Sequence, residues 1–92
     1  MKLSRKSVNA KVAELGNWRL RRKVITRVFS FVDFAGAMGF VNSVASLAEA
    51  ANHHPDIVIK YDKVKLALTT HDEGGLTEKD FKLASKINKL MK

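Results

Sequence analysis

The chain contains no cysteine, one proline, one tryptophan and one tyrosine among its 92 residues. Without cysteine, neither a disulfide framework nor a thiolate metal site is possible. The absence also fits a reducing compartment, and a cytoplasmic location is the expectation. Long apolar runs are missing as well. The longest charge-free stretch, Phe34 to Ala48, contains Asn42, Ser43 and Ser46 and is shorter than the ~18 apolar residues that read as a membrane span. Acidic residues are scarce at the start. Up to Arg27, nine Lys/Arg face Glu14 alone, whereas residues 28–92 balance eight Lys against eight Asp/Glu. The whole net charge of +8 therefore belongs to the first third.

Three readings compete for that basic third. It can meet nucleic acid, an acidic protein or an anionic surface, with Arg19, Arg21 and Arg22 as the contacts. It can be an acid-poor targeting segment. It can be a solvated face that keeps the protein soluble. No aromatic residues interleave the cations as a strand-binding surface would require, so the solvated face is favoured. Targeting is the weakest reading, because the segment carries its own helix-start signal and a strand pattern and lacks an apolar signal-peptide core.

What is present is an ordinary globular composition, 46% apolar, enough for one domain over residues 1–92 with a modest core. Ser4 caps a helix running to about Leu15, with Leu3 and Val8 at staple spacing and Val8, Val12 and Leu15 as its stripe. Gly16-Asn17 ends it. Trp18 and Leu20 open a first strand, and Arg22-Lys23 turns into a second. There Ile25, Phe29 and Phe31 are the apolar positions and Thr26, Arg27 and Ser30 the polar ones. Asp33 caps a long helix to about Ala51, with Phe34, Met38, Val41, Ala45 and Ala48 as its face. Gly36 and Gly39 in that helix read as close packing against a neighbour.

Pro55 stops the helix, since the residue before proline avoids the α region. Ile57, Ile59 and Tyr61 make a third strand, Asp62-Lys63 begins the return, and Val64, Leu66 and Leu68 alternate along a fourth. After the Asp72–Gly75 loop, Thr77 and Asp80 form a capping box for a last helix carried by Phe81, Ala84, Ile87 and Met91. The order α-β-β-α-β-β-α predicts an α+β fold, a four-stranded antiparallel sheet with three helices packed on one face.

All three histidines stand at element ends: His53 and His54 in Asn52-His53-His54-Pro55, and His71 in Thr70-His71-Asp72-Glu73. From spacing alone they are either solvated loop residues or an acid–base site, since imidazole exchanges protons near neutral pH. A metal site is disfavoured, because an adjacent His-His pair with a distant third is poor ligand geometry. No Ser or Thr lies in a nucleophile elbow, and Gly74-Gly75 is too short for a phosphate loop.

The segments Glu49-Ala50-Ala51-Asn52-His53-His54-Pro55-Asp56, Tyr61, and Leu68-Thr69-Thr70-His71-Asp72-Glu73-Gly74-Gly75-Leu76-Thr77 with Asp80 resemble the pterin-4a-carbinolamine dehydratases. Trp18 and the run Phe29, Phe31, Asp33, Phe34 are similar to that family's early tryptophan and its entry into the long helix. The resemblance covers roughly residues 15–90 and implies the same sheet-and-helix fold. It implies removal of water from 4a-hydroxytetrahydropterin to give quinonoid dihydropterin, in pterin cofactor recycling, without metal or cofactor. His53 and His54 would then supply acid–base function, with His71 placing the pterin and sharing the proton work. Pro55, Thr70, His71, Asp72 and Glu73 would line the substrate, and Glu49 and Asp80 would support the histidines. A homodimer or homotetramer is implied too. Ile57 and Val58 stand where some relatives carry an aromatic, so one wall of the pocket differs. The competing reading is a non-catalytic module, a transcriptional cofactor or assembly helper, working through the basic third.

Overall fold

In the computed structural model, which describes residues 1–91, three helices accompany one antiparallel sheet. The elements are α1 (Arg5–Leu15), β1 (Arg19–Arg21), β2 (Val24–Ser30), α2 (Phe34–Ala51), β3 (Asp56–Lys60), β4 (Lys63–Leu68) and α3 (Glu78–Lys89), with a short 3₁₀ turn over His71–Glu73. The strand order is β1-β2-β4-β3, which leaves β1 and β3 at the edges.

Period-two alternation decides which side of the sheet is wet. Ile25 and Phe29 of β2 and Val64, Leu66 and Leu68 of β4 are buried, while Val28, Lys63 and Lys65 point to solvent. The helices cover the buried side through Val8 of α1, Ala37, Phe40, Val44 and Ala48 of α2, and Phe81, Leu83, Ala84 and Ile87 of α3. One continuous core results.

Both hairpins close with two residues. Arg21 pairs with Val24 around Arg22-Lys23, and Lys60 pairs with Lys63 around Tyr61-Asp62. Each loop holds a non-glycine residue at positive φ, Arg22 at 56° and Tyr61 at 51°, the hand that matches strand twist. Tyr61 therefore belongs to the turn and not to the third strand, and the return begins one residue earlier than the sequence pattern indicates.

Four further expectations are corrected. The buried line of α2 is Ala37, Phe40, Val44 and Ala48, whereas Phe34 and Ala45 of the expected face are exposed. This helix is apolar nearly all round, so hydropathy does not select its face. Ring packing does, because Phe40 lies 4.6 Å from Phe29 and 5.0 Å from Phe31 between ring centroids. A Cβ at Gly39 would meet nothing within 4 Å, so no close packing exists there; at Gly36 it would lie 3.3 Å from the capping carboxylate of Asp33. Met91 falls beyond α3 and is exposed, and Leu83 takes a core place instead.

Arg27 is the fourth. Its odd position sets it on the helix side of β2 with Ile25 and Phe29, not among the outward polar residues. The guanidinium lies 4.4 Å from the Phe29 ring centroid, and Nη1 donates to Asn88 Oδ1 at 2.6 Å. Trp18 Nε1 donates to the same oxygen at 2.7 Å, and Asn88 Nδ2 donates to the Leu15 carbonyl. Asn88 thus ties α3 to α1, β2 and the residue before β1.

Candidate active site

The end of α2 delivers the histidine pair. Asn52 adopts the left-handed conformation, φ 51° and ψ 42°, and its N–H meets the carbonyls of Ala48 and Glu49. The His53 N–H also reaches the Ala48 carbonyl. Asparagine tolerates this conformation better than most residues, so the helix is already closed three residues before Pro55. The reversal turns the His53 side chain inward and leaves that of His54 half exposed, 12% against 55% accessible.

His53 meets Asp80 across the fold, with Nε2 2.6 Å from Asp80 Oδ1. Asp80 is completely buried. Its second oxygen, Oδ2, accepts from the Thr70 hydroxyl at 2.7 Å and from the Thr77 N–H at 2.9 Å. The Thr77 hydroxyl joins Thr70 at 2.9 Å and accepts from the Lys79 N–H. One carboxylate therefore caps α3 and anchors His53. The two readings of Asp80, helix cap and histidine support, are compatible in this geometry, because each uses a different oxygen.

The carboxylate already accepts from the Thr70 hydroxyl and the Thr77 N–H, and toward such an acceptor His53 presents Nε2–H. Nδ1 has no hydrogen-bond partner among the described residues, and it is not among buried unpaired atoms. That nitrogen is therefore accessible, although the side chain as a whole is only 12% exposed. His54 Nε2 lies 2.5 Å from Glu49 Oε2, a second carboxylate–imidazole pair, but both side chains are largely exposed. Solvent screening makes such a surface contact far weaker as an anchor.

The other sequence-derived candidates separate into two groups. Thr70, Asp72 and Glu73 line a cleft of about 260 Å³ with Met1, Thr77, Glu78 and Lys79. Thr70 is buried, and its hydroxyl already serves Asp80. Glu73 pairs with the Met1 ammonium at 3.3 Å, and the Leu3 N–H bonds to the Leu76 carbonyl, so the N-terminal residues run along this loop. Pro55 is half-buried. His71 opens the 3₁₀ turn with an exposed side chain. None of the histidines lines the cleft; Thr70 and Thr77 are what join it to the His53–Asp80 pair. Sequence reasoning missed Met1, Lys79 and the hydrogen-bonding role of Thr77 beyond its cap. Only the capping signature at Thr77 offered a trace of the last.

Among the described residues, no three His, Asp or Glu side chains gather as metal ligands. Among the same residues, no helix is long and apolar enough to cross a membrane.

The arrangement is a small α+β scaffold carrying carboxylate-bound histidines at helix and strand ends. The family model described as pterin 4 alpha carbinolamine dehydratase matches residues 1–90. A relative in Acidobacterium capsulatum bearing the family's name is 52% identical over 97% of both chains, and one in Chloroflexus aurantiacus is 51% identical over 98% and 97%. The chain belongs to the pterin-4-alpha-carbinolamine dehydratase family. A crystal structure of a transcriptional coactivator/pterin dehydratase from Brucella melitensis superposes with a TM-score of 0.93 at 37% identity, covering 98% of each chain. A pterin dehydratase-like RuBisCO assembly factor of the alpha-carboxysome shares the fold at TM-score 0.65 and 22% identity.

Proposed function

We propose that this chain removes water from a 4a-hydroxytetrahydropterin, with His53 as the principal proton-transferring group. The observation that carries the reading is the 2.6 Å contact between His53 Nε2 and the buried, three-donor carboxylate of Asp80. Dehydration breaks the C4a–O bond and the N5–H bond and forms C4a=N5. One proton leaves N5, and one joins the departing hydroxyl to make water. Each transfer needs an imidazole of fixed tautomer, and a carboxylate on one ring nitrogen fixes the other as the working atom. His53 Nδ1 is that atom here. Whether it first receives the N5 proton or first gives one to the hydroxyl, the same nitrogen does both in a cycle, and His54 is the neighbouring partner. The family membership and the names of the relatives supply the substrate class.

Acceleration of 4a-hydroxytetrahydropterin decay should fall about 10²–10⁴-fold in His53→Ala, the usual worth of general acid–base assistance. His54→Ala should cost less, because Glu49 holds His54 at an exposed site. Stopped-flow absorbance reads both. Equal rates in wild type and His53→Ala would overturn the assignment.

A second reading has its own observation. Arg19 and Arg21 stand exposed on the same face of edge strand β1, with Arg22 in the adjoining turn, and the Brucella neighbour is titled a coactivator as well as a dehydratase. If that edge holds an acidic partner or nucleic acid, binding should weaken steeply with salt and vanish when the three arginines become glutamate. Binding unchanged by the reversal would exclude this surface.

A further inference from the structure

A cavity of about 530 Å³, twice the cleft beside Asp80, opens between α1 and α3 over β2. It lies apart from all three histidines, and the dehydration chemistry makes no use of it. We propose that this cavity binds a small organic carboxylate, its oxyanion on Arg27 and Lys89 and its apolar body against Leu15, Phe81 and Met91.

Arg27 is the reason. It occupies a helix-facing strand position where an apolar side chain belongs, and burial lowers its pKa from the ordinary arginine value. A partly desolvated cation normally has a counter-ion. Arg27 has none: no Asp or Glu oxygen stands within salt-bridge distance of it among the described residues. A purely structural role is met by one N–H, the Nη1 bond to Asn88. Arginine has five such donors, and the unused ones are not buried and unpaired. Arg27 lines the cavity, which places these accessible donors beside it. The Phe29 ring beneath the guanidinium and the Asn88 bond hold the fork still, which suits two-point recognition of a carboxylate.

The surrounding charges select the ligand class. Lys89 adds a second cation, whereas Lys11 is already paired with Glu78 at 3.2 Å, and Glu14 brings a negative charge to the rim. Two available cations against one carboxylate match a monoanion better than a phosphate dianion. Leu15, Phe81 and Met91 give the cavity apolar walls, and its volume is within the range of small-molecule pockets.

Benzoate is a suitable probe, and Trp18 is a built-in reporter because its indole N–H shares the Asn88 oxygen with Arg27. Titration of benzoate into the full chain should give a saturable shift of the Trp18 indole resonance. The neutral isostere benzamide should bind at least about tenfold more weakly, the loss of a charge-assisted contact, and inorganic phosphate should bind more weakly than benzoate. Arg27→Gln should abolish the shift. Should that variant fail to fold, Lys89→Glu, at an exposed position, should still weaken benzoate at least about fivefold by charge repulsion. No saturable shift in the folded protein, equal binding of benzamide or of phosphate, or indifference to Lys89→Glu would overturn the proposal.

Discussion

Asp80→Asn should lower the dehydration rate about 10²–10⁴-fold, the range of general acid–base assistance, in a protein that still folds. The carboxylate is surrounded only by donors: the His53 Nε2–H on one oxygen, the Thr70 hydroxyl and the Thr77 N–H on the other. An asparagine brings one oxygen and one NH₂ to that site. If the oxygen keeps Thr70 and Thr77, the amide N–H meets His53 Nε2 and forces the proton to Nδ1. The working nitrogen then has no lone pair to receive a proton, and giving up its own would leave an imidazolate. If the amide flips, His53 keeps its tautomer, but two buried donors face an NH₂ group, and α3 loses part of its cap. The unmatched groups cost about 1–3 kcal/mol. The first outcome is read in kinetics, the second in thermal denaturation. A variant with wild-type rate and wild-type melting temperature would show that the pair does not orient His53.

Leu66→Ala should be strongly destabilising. Leu66 is fully buried on β4, a central strand, between Arg27 of β2 and Ile57 of β3 in the register. Removing a buried leucine to the β-carbon costs about 2–5 kcal/mol, through lost transfer energy and the cavity left behind. A chain of 92 residues holds only about 5–14 kcal/mol in all. A loss of 3 kcal/mol in a domain of this size lowers the melting temperature by more than about 10 °C. Dehydration by the fraction that remains folded should be preserved, because Leu66 makes none of the His53–Asp80 contacts. A urea midpoint shifted by less than about 1 kcal/mol equivalent would contradict the packing described for this strand.

The sequence was most legible where one physical rule governed each position. Strict alternation in Val64, Leu66 and Leu68 identified both the strand and its buried face, and the Ser4, Asp33 and Thr77 caps located the three helix starts to the residue. It was least legible where composition left the choice open. The α2 face was misread because alanine, glycine and valine surround the helix on all sides, and aromatic stacking from β2 settles its rotation. Arg27 was misread because charge was taken to mean solvent, whereas an arginine can lie flat on a ring and reach a distant amide.

Of the candidate histidine site, the residues are legible in the sequence and their arrangement only partly. His53 and His54 are equivalent in the sequence, and the left-handed turn at Asn52 leaves one largely enclosed and the other exposed. Thr70 is expected at the substrate; it lines the cleft, and its hydroxyl also bonds Asp80. No local pattern encodes that contact, because it joins the end of β4 to the first turn of α3.

The most direct test is the decay of 4a-hydroxytetrahydropterin, generated by a hydroxylase and followed by stopped-flow absorbance, with buffer, with this protein and with His53→Ala. Marked acceleration by the protein is expected, with its loss in the variant, whose circular dichroism stays native. A folded wild-type protein that leaves the decay at the buffer rate, or a folded His53→Ala that keeps the full acceleration, would contradict this expectation.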